Sequence, residues 1–176
     1  MTRSSLRLAR RVGLVLGAAA ITGLLAACGG PSIDLQKTLK VTDVSSGWYD
    51  TGIVEGKHKL VPSITFKLDN QASAPLVSLQ VNSVFRRVGE TDEWGNAYKG
   101  VAGSDGLAAG ATTNALTLQS PLGYTGTEAP SLMLQNHLFV DAQVTIFAKY
   151  GSSQWTKIGD FPIKRTLLNG TTGQGQ

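Results

Sequence analysis

Cys28, in the stretch LLAACGG (Leu24 to Gly30), is the only thiol in the chain and closes an apolar run. The thiolate is the reactive nucleophile of cysteine, and a lone cysteine allows no intramolecular disulfide, so covalent attachment is the chemistry this position suggests. Other groups offer less. His58 and His137 are the only histidines and form no paired-histidine metal motif; Lys57 and Lys59 flank His58 and disfavour a bound cation there. Ala102-Gly103-Ser104-Asp105-Gly106 has the letters of a nucleophile elbow, which needs a strand before the serine and a helix after it. Residues 107 to 115 (LAAGATTNA) are interrupted by Gly110 and lead towards a strand, so a plain turn is expected. Glu90, Asp92, Glu93 and Asn96 could gather oxygen atoms around calcium but lack the register of a known calcium loop. The reading predicts no catalytic residue, no metal and no cofactor, and therefore no enzyme.

The aromatics offer recognition. Trp48 and Tyr49 stand in Gly47-Trp48-Tyr49-Asp50, and Trp94 and Tyr98 in Trp94-Gly95-Asn96-Ala97-Tyr98. Loop aromatics beside glycines can stack on a sugar or anchor a protein partner, so these four are the candidate contacts. Trp155, which opens the last alternating run, is expected in the core.

Such residues need elements to carry them, and the first is an export segment. Arg3, Arg7, Arg10 and Arg11 precede an uncharged run of 16 residues, Val12 to Ala27. This is the charged region and apolar core of a secretory signal, shorter than the roughly 20 residues a transmembrane helix needs. Leu25-Ala26-Ala27-Cys28 resembles the lipobox of bacterial lipoproteins. That resemblance implies a diacylglycerol on the Cys28 thiol, cleavage of residues 1–27 and, usually, acylation of the new amine. Two or three acyl chains hold permanently where one holds only marginally. Gly29, where an aspartate would favour inner-membrane retention in enteric bacteria, implies delivery to the outer membrane if the host has one. Arg10-Arg11 matches a twin-arginine signal loosely, and both export routes stay open.

That boundary also changes the electrostatics. The chain has 16 Lys and Arg against 12 Asp and Glu, and all four excess charges are arginines that precede Cys28. The mature chain is formally neutral, which removes the electrostatic case for a nucleic-acid partner. Residues 28–36 (CGGPSIDLQ) read as the lipidated cysteine and a linker, 37–168 as one domain, and 169–176 (NGTTGQGQ) as a disordered tail.

Within the domain the dominant pattern is alternation with period two. In Lys59 to Asn70, Ile64, Phe66 and Leu68 face one way and Ser63, Thr65, Lys67 and Asp69 the other. Val77 to Val88 repeats this with Val77, Leu79, Val81 and Phe85 inward. DNQASAP (Asp69 to Pro75) makes the two runs neighbours in one sheet or across a sandwich corner. Shorter runs occur at Leu39 to Val44, Ala97 to Val101, Thr112 to Leu118, Ala142 to Tyr150 and Trp155 to Ile163. Gly151-Ser152-Ser153 makes the last two a hairpin. Pro121 to Phe139 breaks the pattern: Leu134 and Leu138 have helical spacing and Ser131 could cap a helical turn or two.

About seven or eight strands with one short helical excursion predict an all-β fold, an antiparallel immunoglobulin-like β-sandwich, with a closed barrel as the open alternative. KLDN (Lys67 to Asn70), LQVNSVFRR (Leu79 to Arg87) and GLAAGATTNALTL (Gly106 to Leu118) resemble the FxLYD-like group of envelope lipoproteins, which carry one small immunoglobulin-like domain. VFRRVGE (Val84 to Glu90) stands where that group's eponymous segment is expected, so the likeness implies a fold more than an activity. The expected function is that of a cell-envelope lipoprotein, membrane-anchored through Cys28, whose β-sandwich is a non-enzymatic interaction or accessory module for an envelope protein. The alternative is a binder of glycan, lipid or peptidoglycan fragments that uses the same aromatics.

Overall fold

The computed structural model describes residues 33–168; Cys28, the expected signal peptide and the 169–176 tail lie outside them. Among the described residues two short helices, α1 (Leu35–Thr38) and α2 (Pro130–Gln135), accompany nine strands: β1 (Leu39–Val54), β2 (Lys57–Asn70), β3 (Gln80–Arg87), β4 (Gly95–Gly100), β5 (Leu116–Gln119), β6 (Tyr124–Gly126), β7 (Ala142–Lys149), β8 (Thr156–Pro162) and β9 (Leu167–Leu168).

One sheet has the order β5-β2-β1-β9, with β6 also paired to β2, and the other runs β4-β3-β7-β8. Every pairing is antiparallel except that of β1 with β9. The sheets pack face to face over Ile64, Phe66 and Leu68 of β2, Val81 and Phe85 of β3, and Val144 and Ile146 of β7, all without exposed surface. The fold is thus the expected all-β sandwich. The β2 and β3 runs face each other across it instead of sharing a sheet, and β7 and β8 form the expected hairpin. Side chains link the sheets at the edges: Ser46 Oγ donates to Pro162 O at 2.8 Å, and Gly95 lies so close to Ser120 that a Cβ would collide with it.

Pro62 sits in the interior of β2, where a missing N–H normally breaks a ladder. Trp48, its partner on β1, donates its N–H to Thr166 on the far side, and the Pro62 carbonyl accepts from Ser120. The absent N–H therefore faces the junction where β2 exchanges β5 for β6, and no ladder bond is lost there.

Three sequence expectations are corrected. Ile33 to Gln36, read as linker, pack on the domain: Leu35 is 2% exposed, the Ile33 N–H donates to the Tyr150 hydroxyl at 2.8 Å, and Asp34 caps α1 by accepting from the Gln36 N–H. Lys37 bonds the Asp34 carboxylate at 3.1 Å and holds its pKa below the usual carboxylate value. In α2, Pro130 opens the first turn, as its fixed φ favours; Ser131 caps nothing and the helix stops at Gln135, before Leu138. The segment Gly47 to Asp50, read as a loop, belongs to β1, which runs on to a two-residue turn at Glu55 (φ 51°) and Gly56 (φ 74°). Positive φ at both turn residues matches the twist of a tight hairpin.

Candidate functional site

The four aromatics expected to form contacts do not share one surface. Trp48 has no exposed surface; its ring lies 4.6 Å edge-on from Phe139, 5.7 Å from Tyr124 and 6.0 Å from Trp94. A partner cannot touch it, so its role is corrected from contact to core. Trp94 is half-buried, with its ring 5.0 Å from Tyr124, and its N–H donates to Phe85 O at 2.8 Å. Tyr49 lies on the opposite face of β1, between Val61 and Leu168. Tyr98 is the exposed one, at 59%. Cys28 falls outside the described residues.

Trp48, Trp94, Tyr124 and Phe139 close one end of the sandwich, and two arginines brace them. The Arg87 guanidinium stands 4.9 Å from the Trp94 ring centre, in the range where a cation is attracted to the ring, and bonds Glu90 at 3.3 Å. Arg165 stands 5.2 Å from the Phe139 ring centre. It donates to Phe139 O at 2.8 Å and to Asp141 Oδ1 at 2.5 Å, which ties residues 139–141 to the start of β9. The aromatic floor is therefore held rigid from both sides.

Over that floor lies a groove of about 410 Å³ between β6 and the segment 133–139, lined by Tyr124, Thr125, Gly126, Met133, Leu138 and Phe139 among others. A second depression of about 430 Å³ adjoins it beside Leu132, Gln135 and His137, and Glu128 and Asn136 line both. Leu138 is 74% exposed and Leu132 54%. Exposed apolar side chains rimmed by polar ones mark interaction sites. Gly123 makes the bend into β6 possible: a Cβ there would run into the Leu60 carbonyl.

An exposed aromatic pair lies on the outer face of β4-β3-β7-β8. Tyr98 and Trp155 meet edge to face at 6.3 Å, with Lys149 Nζ 5.0 Å from the Trp155 ring centre. Register puts Asn82 and Phe147 on the same face as Tyr98. Trp155 was expected in the core and is 40% exposed. The β-bulge between Ile146 and Phe147 is the cause: it puts β8 out of step, so that Ile158 and Phe161 both pack on the core and Trp155 turns outward.

Ser104 and His137 lie at opposite ends of the sandwich, since Ser104 follows β4 beyond Gly100 and His137 precedes β7, which runs parallel to β4 across β3. Glu90 is engaged by Arg87 and Glu93 by Asn96. Among the described residues no three His, Cys, Asp or Glu side chains are grouped as metal ligands. Tyr124, Phe139 and Leu138, which build the groove, were not singled out from the sequence. Their signal was the break in alternation at Pro121 to Phe139, which marked the excursion without revealing which side chains it exposes. No protein-family model matches the chain, and a search of curated proteins found no match either.

Proposed function

We propose that the chain is a lipid-anchored cell-envelope protein whose β-sandwich is a non-enzymatic interaction module. One observation carries the reading: the apolar groove lies at the end of the domain remote from Ile33. Leu39 pairs with Asn70 beside α1, whereas β6 pairs with Leu60 at the other end of β2. Ten residues of strand separate Leu60 from Asn70, roughly 34 Å at ~3.4 Å per residue. Cys28 precedes Ile33 by five residues, which reach at most ~18 Å. Lipidation at Cys28 would keep the α1 end near the bilayer and present the groove away from it. Tethering then acts by raising the local concentration of the domain near other envelope components.

The anchor is tested in cells fed a labelled fatty acid. Cys28→Ser is expected to abolish labelling and to leave unprocessed precursor, whereas a Cys28→Ser chain that still takes label would refute lipidation at this residue.

A second reading, binding of glycan or peptidoglycan fragments, is favoured by the Tyr98–Trp155 pair, because solvent-facing rings beside the amide of Asn82 and the Lys149 ammonium suit stacking with polar anchoring. Muropeptides titrated against the full-length lipoprotein are then expected to change its tryptophan fluorescence. Tyr98→Ala should lower the affinity about tenfold, ~1.4 kcal/mol. A flat titration, or one indifferent to Tyr98→Ala, removes this reading.

A further inference from the structure

We infer that the groove beside β6 takes an extended segment of a partner protein, apolar in its side chains and carrying an arginine or lysine that meets Glu128, with its main chain paired to the free edge at Thr125. The inference rests on the interaction-module reading and names the occupant of that module's groove.

The register of β6 supplies the first argument. Because the Pro62 carbonyl accepts from Ser120, the even-numbered residues of this part of β2 direct their main-chain groups towards β5 and β6. Leu60 and His58 therefore pair with Tyr124 and Gly126, and Thr125, opposite Lys59, turns its N–H and C=O away from the sheet. No other main-chain group among the described residues takes them up. An open strand edge is a template for an added strand, the mode by which many domains bind extended peptides.

The lining supplies the second. Met133, Leu138 and Phe139 face the edge across the groove, with Thr127 and Asn136 as polar neighbours. Apolar anchors within a polar rim are the anatomy of a protein interface. A volume of this size also suits a small ligand, but an acyl chain has neither donor nor acceptor to offer Thr125, and sugar hydroxyls lack the repeating N–H and C=O spacing of a paired strand.

Charge supplies the third. Glu128 is the only charged side chain lining the groove, and no ion pair engages it among the described residues. A cationic side chain in the partner segment complements it, and an acidic segment is disfavoured.

The test uses a labelled probe, acetyl-Leu-Thr-Leu-Arg-Leu-Thr-amide, titrated by fluorescence polarisation against the full-length lipoprotein in nanodiscs. A glutamate-for-arginine peptide and one N-methylated at alternate residues serve as comparisons. The arginine peptide should saturate, and N-methylation should abolish binding. Leu138→Asp should weaken it at least tenfold, and Glu128→Lys should reverse the preference between the two charged peptides; both positions are exposed, so both variants should fold. Failure to saturate, indifference to both substitutions or equal binding of the N-methylated peptide would overturn the inference. In cells, benzoylphenylalanine is placed at Leu138 or at Tyr98. Adducts at Leu138 that the arginine peptide competes away support the groove. Adducts at Tyr98 alone overturn the groove and leave the module standing; adducts at neither position overturn both; competition by phosphatidylglycerol vesicles, but not by the peptide, would overturn the inference in favour of lipid.

Discussion

Trp48→Ala is expected to destabilise the full chain by about 3–5 kcal/mol, the range for truncating a large buried aromatic. Trp48 has no exposed surface and touches three other rings, so its removal leaves a cavity at the closed end and takes the support from beneath Tyr124 and Phe139. Because domains of this size are stable by only about 5–15 kcal/mol, such a loss removes a fifth or more of the total. Urea denaturation followed by circular dichroism checks this: the midpoint should fall steeply with little change in slope. Trp48→Phe is the informative companion. The indole Nε1 is buried without a hydrogen-bond partner, so phenylalanine forfeits volume but no bond and should cost less than half as much. Tyr98→Ala, on the exposed face, should stay within about 0.5 kcal/mol of the parent. If Trp48→Ala left the unfolding free energy within about 1 kcal/mol of the parent's, the buried aromatic cluster would be wrong. Loss of partner binding in Trp48→Ala would therefore report on folding, and contact tests belong at Leu138, Glu128 and Tyr98.

How far the fold could be read from the sequence follows from where the ladders are regular. The long run of β2 and the β7–β8 hairpin were legible because alternation survives over most of their length. β1 was legible only at its start. Register shifts between Thr42 and Ser45 and between Asp50 and Ile53, with positive φ at Asp43 and Gly52, break the period of two and made Gly47 to Asp50 look like a loop. Trp48 was misjudged for that reason: a strand tryptophan facing inward resembles a loop tryptophan when the bulge hides the strand. The bulge at Ile158 of β8, between the partners of Ile146 and Phe147, misled in the other direction and concealed that Trp155 faces out. The packing of residues 33–36 was not legible because four residues of helix carry too little pattern to distinguish a docked turn from a linker. The groove was the least legible feature, since β6 has three residues and the segment after α2 has no period at all; only the folded chain shows that Tyr124 and Phe139 form a floor and Leu138 a rim.

Asn70, the last residue of the KLDN stretch, leads to the other large effect. It has no exposed surface, and its Nδ2 donates to Ala74 O at 3.1 Å, Leu107 O at 2.9 Å and Ala108 O at 3.0 Å, while its Oδ1 accepts from the Ala72 N–H at 3.0 Å. Its own N–H donates to Ala111 O at 2.9 Å, and Gly110 donates back to its carbonyl at 2.7 Å. One amide thus fastens the turn after β2 to the loop Gly106 to Ala111, where Gly106 has φ 73° and lies against the Leu76 backbone too closely for a side chain. Asn70→Asp keeps the shape and removes both donated protons. The ionised carboxylate would then face three carbonyl oxygens in a buried site, and leaving such groups unpaired costs about 1–3 kcal/mol each, more when one is charged. A loss of at least ~3 kcal/mol at pH 7 is expected. Burial and those carbonyls would raise the pKa of the introduced carboxyl above its unfolded value. Protonation on lowering the pH through that raised pKa should therefore restore part of the loss, because the neutral acid can donate one bond. Urea midpoints of Asn70→Asp and the parent at pH 7 and pH 5 measure both signs, and a difference below about 1 kcal/mol at pH 7 would show that the amide does not hold this corner. Since Asn70 and the groove lie at opposite ends of β2, their effects should be independent. Under conditions where Asn70→Asp is still folded, any affinity for the arginine peptide should equal the parent's, which separates loosening at the α1 end from damage to the proposed groove.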